Sequence, residues 1–338
     1  MTDIIFNRLP THNGEIGEII LNRPKALNAL NFEMCTALRE QLLEWQDDDA
    51  IRLVIIRGEG ERAFCAGGDI RMIYQNGIAK AQDSHVFFKA EYEMNKIIFH
   101  FNKPYVSFLH GIVMGGGVGV SVHGSVRIAA ENFVFAMPET GIGFFPDIGA
   151  GYFLTRCPNF VGTYLGLTGA RINRADAEVL GLVTHCINQE HWPKVMELFK
   201  QKDRATAIAE LSQFTTNCGD AELMQHKELI EQCFSASTIE EILRRLEANS
   251  SAFARETLAV LAKKSPLSLK VTLEQLKRSA SMNYDAINAM EYKIACRFAA
   301  TPDFHEGVRA AVIDKDQNPK WQPEKLSDVT PQMIAEFF

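Results

Sequence analysis

Apolar residues follow two different rhythms along this chain. In the first half, short apolar runs at 16–21, 53–56, 105–109, 126–128 and 133–135 predict β-strands. Turn-formers punctuate them: Asn22-Arg23-Pro24, Gly58-Glu59-Gly60 and Pro104. Between the runs the spacing turns helical. Met34, Leu38, Leu42 and Trp45 fall on one helical face, with Asn31 placed to cap that helix. A second helix is predicted over 84–101, with Val86, Phe87, Tyr92 and Ile97 among its apolar positions. Strands alternating with helices predict an α/β fold in which helices cover a sheet.

After about residue 190 the β-branched runs thin out. Amphipathic helical patterns take over, for example at 239–246, 253–261 and 267–276. A boundary near 200 is expected, with the site in 1–200 and an α-helical region in 201–338. Pro319 to Pro323 reads as a loop before a short final helix.

Composition narrows the function classes. The 338 residues are 46% hydrophobic and 23% charged, as in folded proteins with a sizeable core. A net charge of -7 argues against nucleic acid as a partner, while leaving room for an anionic ligand on a local basic cluster. No apolar run is long enough to span a bilayer, and no membrane partner is expected. Seven scattered cysteines without a C-x-x-C pair argue against a zinc knuckle or a disulfide framework. No metal site is expected. The first residues show no basic stretch followed by an apolar one, so a cytoplasmic location is expected.

Candidate chemistry lies in two glycine loops and one acidic loop. Ala63-Phe64-Cys65-Ala66-Gly67-Gly68-Asp69-Ile70 and His110-Gly111-Ile112-Val113-Met114-Gly115-Gly116-Gly117 each follow a predicted strand. Glycine lets a backbone approach a ligand closely, and one N–H from each loop could hold an oxyanion. Read alone, either loop is equally a tight turn, and neither matches a phosphate-binding or dinucleotide motif. The third segment runs from Met137 through Pro138-Glu139-Thr140-Gly141 to Phe145-Pro146-Asp147-Ile148-Gly149. Two acids in an apolar, glycine-rich loop suit paired acid and base roles, because burial and mutual repulsion separate their pKa values. Read alone, Asp147 could instead cap a helix, and Glu139 could be a plain surface acid.

Together these segments resemble the crotonase (enoyl-CoA hydratase/isomerase) superfamily. Phe64 to Ile70 is similar to its first oxyanion loop and Gly111 to Gly119 to its second, in the family's order. Arg23-Pro24-Lys25-Ala26-Leu27-Asn28 resembles its N-terminal, nucleotide-lining segment. The resemblance implies a spiral of ββα units with an α-helical C-terminal region, an acyl-CoA ligand, and a thioester oxyanion held by the amides of Gly68 and Gly116. It implies CoA contacts at Lys25, Ala26, Leu27, Ala66, Gly68, Asp69 and Ile70, although a lone Lys25 in a turn also reads as simply solvated.

Within the superfamily, Glu139 falls where hydratases and isomerases carry a catalytic Glu. Gly119 occupies the place of the hydratases' second Glu, and Asp147 replaces a glycine. That combination, with Glu91-Tyr92-Glu93-Met94-Asn95, Asp303 to Arg309 and Ile313 to Asp316, resembles a branch that hydrolyses short β-hydroxy acyl-CoA thioesters. By that resemblance Glu139 and Asp147 are catalytic, with Glu139 either activating water or attacking directly. Glu91, Gly116 and both acids would touch the acyl group. No cofactor is implied, since CoA is part of the substrate, and relatives commonly self-associate as homo-oligomers. Alternatives are an enoyl-CoA hydratase or isomerase and a non-catalytic acyl-CoA-binding protein.

Overall fold

The computed structural model describes residues 2–338, apart from the side chains of residues 76, 79 and 81–83. The chain makes two compact units, each assembled from three separate stretches. The first takes Met1–Gly68, Ala90–Phe135 and Ile172–Glu222; the second takes Asp69–Lys89, Ala136–Arg171 and Leu223–Phe338.

In the first unit, β1 (Ile4–Thr11) and β2 (Gly14–Leu21) form an antiparallel hairpin. Parallel strands β3 (Ile51–Gly58), β5 (Tyr105–Leu109), β7 (Val126–Ala129) and β9 (His185–Cys186) extend it to six strands, in the order β1-β2-β3-β5-β7-β9. A second sheet joins β4 (Ala63–Cys65), β6 (Ile112–Met114) and β8 (Val134–Ala136). Each βα passage thus contributes one strand to the large sheet and a short one to the small sheet. That is the ββα repeat implied by the crotonase resemblance.

The continuous apolar run of β3 reflects burial on both faces, as expected of a covered parallel sheet. On one face Leu53 and Ile55 join Val106, Phe108, Val126 and Ile128 against Val195, Phe199, Ala207 and Leu211. Each such buried aliphatic side chain contributes roughly 1.5–3 kcal/mol. Toward the other face, Trp45 lies on Gly17 so closely that a Cβ there would stand 2.5 Å from the ring. Trp45 ends the apolar face of the helix Phe32–Asp47, whose cap is the expected one: Asn31 accepts the amide of Met34 at 2.8 Å.

The second unit is mainly helical. Ile239–Glu247, Ala252–Leu261, Pro266–Ser279 and Tyr284–Phe298 follow the amphipathic patterns of the sequence and add one helix it did not announce. Their caps Thr238, Ser251, Ser265 and Asn283 each accept an amide three residues on, satisfying a donor the helix leaves open. Phe144 packs with Phe88, Phe145, Phe298 and Phe304 at ring separations of 4.8–5.7 Å. Asp303 to Arg309 also proves structural. Arg309 is bound to Glu306, Asp314 and Asp316, and the buried Asp303 accepts the amide of Gln322 at 2.6 Å.

One expectation about the cysteines fails. Cys186, ending β9, and Cys218 are joined as a disulfide, with Cα atoms 5.5 Å apart. The partners are 32 residues apart in sequence, and only the return of the segment after Phe214 to the sheet edge brings them together. Thr216 makes that return, donating its amide to the Cys186 carbonyl at 2.8 Å.

Candidate active site

In the first unit, the two glycine loops meet. β4 and β6 pair in parallel, so the segments that follow them leave side by side. A Cβ placed on Gly116 would stand 3.1 Å from the Gly68 nitrogen. Gly68 is half-buried and Gly116 buried. Gly116 opens the helix Gly116–Val122, whose first amides have no carbonyl within the helix to bond. Among the described residues neither the Gly68 nor the Gly116 amide donates to another backbone group. Gly67 needs its freedom here, with φ at +121°.

Glu91 belongs to the same cluster. The helix Ala81–Phe99 carries it, 3% exposed, with Oε1 only 2.5 Å from where a Gly116 Cβ would be. That burial is not the environment of a solvated surface acid.

The N-terminal turn is tied to the first glycine loop. Leu30 donates to Gly67 at 2.8 Å and Ala66 to Leu27 at 3.0 Å. The buried Asn28 side chain bridges the carbonyls of Glu59 and Ala63. Lys25 and Ala26 stand exposed on a 3-10 turn, with Leu27 and Ala66 partly buried behind them. Asp69 and Ile70, partly buried, begin the second unit.

Both candidate acids lie in the second unit, and each is 6% exposed. Glu139 starts the 3-10 turn Glu139–Ile142, and its carbonyl accepts the amide of Phe144 at 3.0 Å. Gly149, not Asp147, is the N-cap of Ala150–Leu154, and the Asp147 carbonyl accepts the Ala150 amide.

Three neighbours of these acids were missed in the sequence. Lys264 is partly buried beside Glu139; burial pushes its pKa down to about 8, and the negative Glu139 opposes that shift. Gly141 and Gly169 leave room for its ammonium group, which lies 3.2 Å and 3.4 Å from where their Cβ atoms would be. The fully buried Glu291 accepts the amides of Gly149 at 2.6 Å and Gly151 at 2.8 Å. Gln275 donates to Glu291 at 2.7 Å and to the Pro146 carbonyl at 2.8 Å. A signal for Glu291 existed: it falls on the apolar face of its helix, in phase with Ile287, Ile294 and Phe298.

The thiol and imidazole of the glycine loops, and the hydroxyl of Ser121 just after them, are otherwise engaged. Ser121 donates to the carbonyls of its own helix at Gly117 and Val118. Burial pushes the Cys65 thiol up to about 12. The His110 ring is bonded to the Gly60 carbonyl at 2.7 Å, and burial lowers its pKa. What remains is the adjacent pair of glycine amides, Gly68 and Gly116, in the first unit and the two buried carboxyls, Glu139 and Asp147, in the second.

Comparison with known proteins gives this arrangement its family. Residues 16–338 match the family model described as enoyl-CoA hydratase/isomerase, and the chain belongs to that family. It is similar to the mitochondrial 3-hydroxyisobutyryl-CoA hydrolases of Danio rerio and Homo sapiens. Each is 43% identical, with 100% of this chain and 89% of the relative covered. Among solved structures it resembles a carnitinyl-CoA dehydratase from Mycobacterium thermoresistibile, with TM-score 0.93 and 36% identity, covering 99% and 96% of the two chains. An enoyl-CoA hydratase from Rhodobacter sphaeroides 2.4.1 has TM-score 0.90 and 36% identity, covering 99% and 97%.

Proposed function

We propose that this protein hydrolyses the thioester of a short β-hydroxy acyl-CoA, with 3-hydroxyisobutyryl-CoA as substrate and 3-hydroxyisobutyrate and free CoA as products. Such a reaction belongs to valine breakdown. The similarity to 3-hydroxyisobutyryl-CoA hydrolases over the whole chain supports it. The observation that carries the chemistry is the pair of buried acids, Glu139 and Asp147, in a chain with glycine at 119. Two glutamates adding water across a double bond would need an acid at that position.

In this reading the thioester carbonyl oxygen accepts hydrogen bonds from the Gly68 and Gly116 amides, which strengthen as negative charge grows on it. Glu139, beside the ammonium of Lys264, takes a proton from water as the water attacks, or attacks the carbonyl itself to give an anhydride that water then hydrolyses. In either route the carbon–sulfur bond breaks, and the CoA thiolate leaves with a proton. Asp147 holds the acyl hydroxyl or delivers that proton. Glu91 closes the acyl end. Lys25, Ala26, Leu27, Ala66, Gly68, Asp69 and Ile70 line the path of CoA. Water is the one co-reactant that the hydrolysis balance requires.

A second reading, water addition to an enoyl-CoA or its reverse, is favoured by the names of the two solved relatives, an enoyl-CoA hydratase and a carnitinyl-CoA dehydratase. Offering 3-hydroxyisobutyryl-CoA and crotonyl-CoA side by side separates the two. Release of free thiol from the first supports hydrolysis; loss of enoyl absorbance from the second, without thiol release from the first, overturns it.

A further inference from the structure

We propose that Glu291, aided by Gln275, is the positioning residue for Asp147: it clamps the backbone on either side of that acid and so fixes where its carboxyl group stands. The inference rests on the reading above, in which Asp147 acts in thioester cleavage.

Asp147 lies in a stretch with an unusual backbone. Ile148 has φ at +54° and Gly149 at +84°, two successive left-handed residues. A β-branched residue such as isoleucine adopts that conformation only where its surroundings impose it. Here the surroundings are one hydrogen-bonded cluster. The Pro146 carbonyl, before Asp147, accepts from Gln275 at 2.8 Å. The Gly149 and Gly151 amides, after it, donate to the two different oxygens of Glu291 at 2.6 Å and 2.8 Å. Gln275 Nε2 also reaches Glu291, at 2.7 Å, and makes the two halves of the clamp one unit. The fit is close, since a Cβ on Gly151 would stand 2.3 Å from Ser279 Oγ and 3.0 Å from Glu291 Oε1.

Packing alone does not call for an acid at 291. The residue shares a helical face with Ile287, Ile294 and Phe298, so periodicity alone would place an apolar side chain there. An acid buried there costs free energy unless its oxygens are satisfied, and the amides around Asp147 satisfy them. Burial, with the negative charge of Asp147 adding to it, raises the Glu291 pKa to about 8 against the pull of those amides. The two acids therefore sense one another's charge.

The test compares E291Q, Q275L and D147N as full-length proteins in thiol release from 3-hydroxyisobutyryl-CoA. Glutamine at 291 keeps one acceptor and turns a donor toward one glycine amide, so the loop shifts. Leucine at 275 frees the Pro146 carbonyl. Displacing a reacting group by an ångström costs up to about 100-fold in rate. The expected result is a kcat loss of roughly 10- to 100-fold in E291Q and Q275L, with KM close to that of the parent and only a modest fall in melting temperature from the unpaired buried groups. Should E291Q fail to fold, Q275L decides. An inactive D147N beside folded E291Q and Q275L that keep kcat within about twofold overturns the inference and leaves the hydrolase reading standing. Losses spread equally over kcat, KM and melting temperature mark a merely structural residue and also overturn it. A fully active D147N removes the assigned role of Asp147, and the inference with it.

Discussion

The amide nitrogen of Gly68 stands 3.1 Å from the point where a side chain on Gly116 would begin. This approach requires hydrogen in place of Cβ, and the Glu91 carboxylate, 2.5 Å from the same point, leaves no direction for relief. Gly116→Ala is expected to lower kcat by about 100-fold or more, comparable with removing an oxyanion donor. Steady-state thiol release measures it. A variant with kcat near that of the parent would show that the two amides do not hold the carbonyl oxygen.

Glu139→Gln keeps the size of a side chain only 6% exposed and removes its capacity as base or nucleophile. It should bind the acyl-CoA as the parent does and lose roughly 10²- to 10⁴-fold in turnover. Calorimetric titration with the substrate, alongside the rate, checks both halves. Full turnover in this variant removes Glu139 from the mechanism.

Stability should respond to pH in two opposite windows. Folding raises the Glu291 pKa from 4.5 to about 8, so the folded state holds more protons between those values. This group's contribution is full below pH 4.5 and is lost as pH rises through about 8. Lys264 is lowered from 10.5 to about 8, so the unfolded state holds more protons there, and its penalty is relieved as pH rises from about 8 to 10.5. Denaturant midpoints of E291Q should therefore fall less than those of the parent between pH 5 and 8, roughly the interval between the two Glu291 values. Parallel curves in that window would contradict the burial of an ionisable group at 291.

The disulfide makes a prediction of its own. Of the seven cysteines, Cys186 and Cys218 are bonded and five are free. Thiol titration of denatured, unreduced protein should find five thiols, and seven after reduction. Cys218→Ser should lower stability by about 2–4 kcal/mol, the usual effect of opening such a loop. Seven thiols without reduction would mean that the pair is not bonded.

Much of this was legible in the residues, and the gaps have physical causes. The strands β3 and β5 and the helix capped by Asn31 were plain because hydrophobic periodicity and a cap point the same way. The glycine loops stood out only together, two of them in order after predicted strands; alone, each reads as a tight turn. β4 and β6 were hidden: three residues are too few to show an alternation. Lys264 and Gln275 lay in patterns that read as ordinary amphipathic helix and turn, and nothing local distinguishes a polar residue facing the core from one facing water. Glu291 interrupts an otherwise apolar helical face, yet that irregularity alone cannot name the Gly149 and Gly151 amides it meets, 142 and 140 positions earlier in the chain. The Cys186 bond depends in the same way on where the chain returns.

Each compact unit is stitched from three stretches, and the last stretch of the first ends at Glu222, while that of the second runs to Phe338. Synthesis from the N-terminus therefore delivers them on different schedules. The half bearing the glycine amides has its whole chain once Glu222 has emerged. The half bearing Glu139 and Asp147 must wait, its acids already made, until the strand of messenger coding for Gln275 and Glu291 has been read.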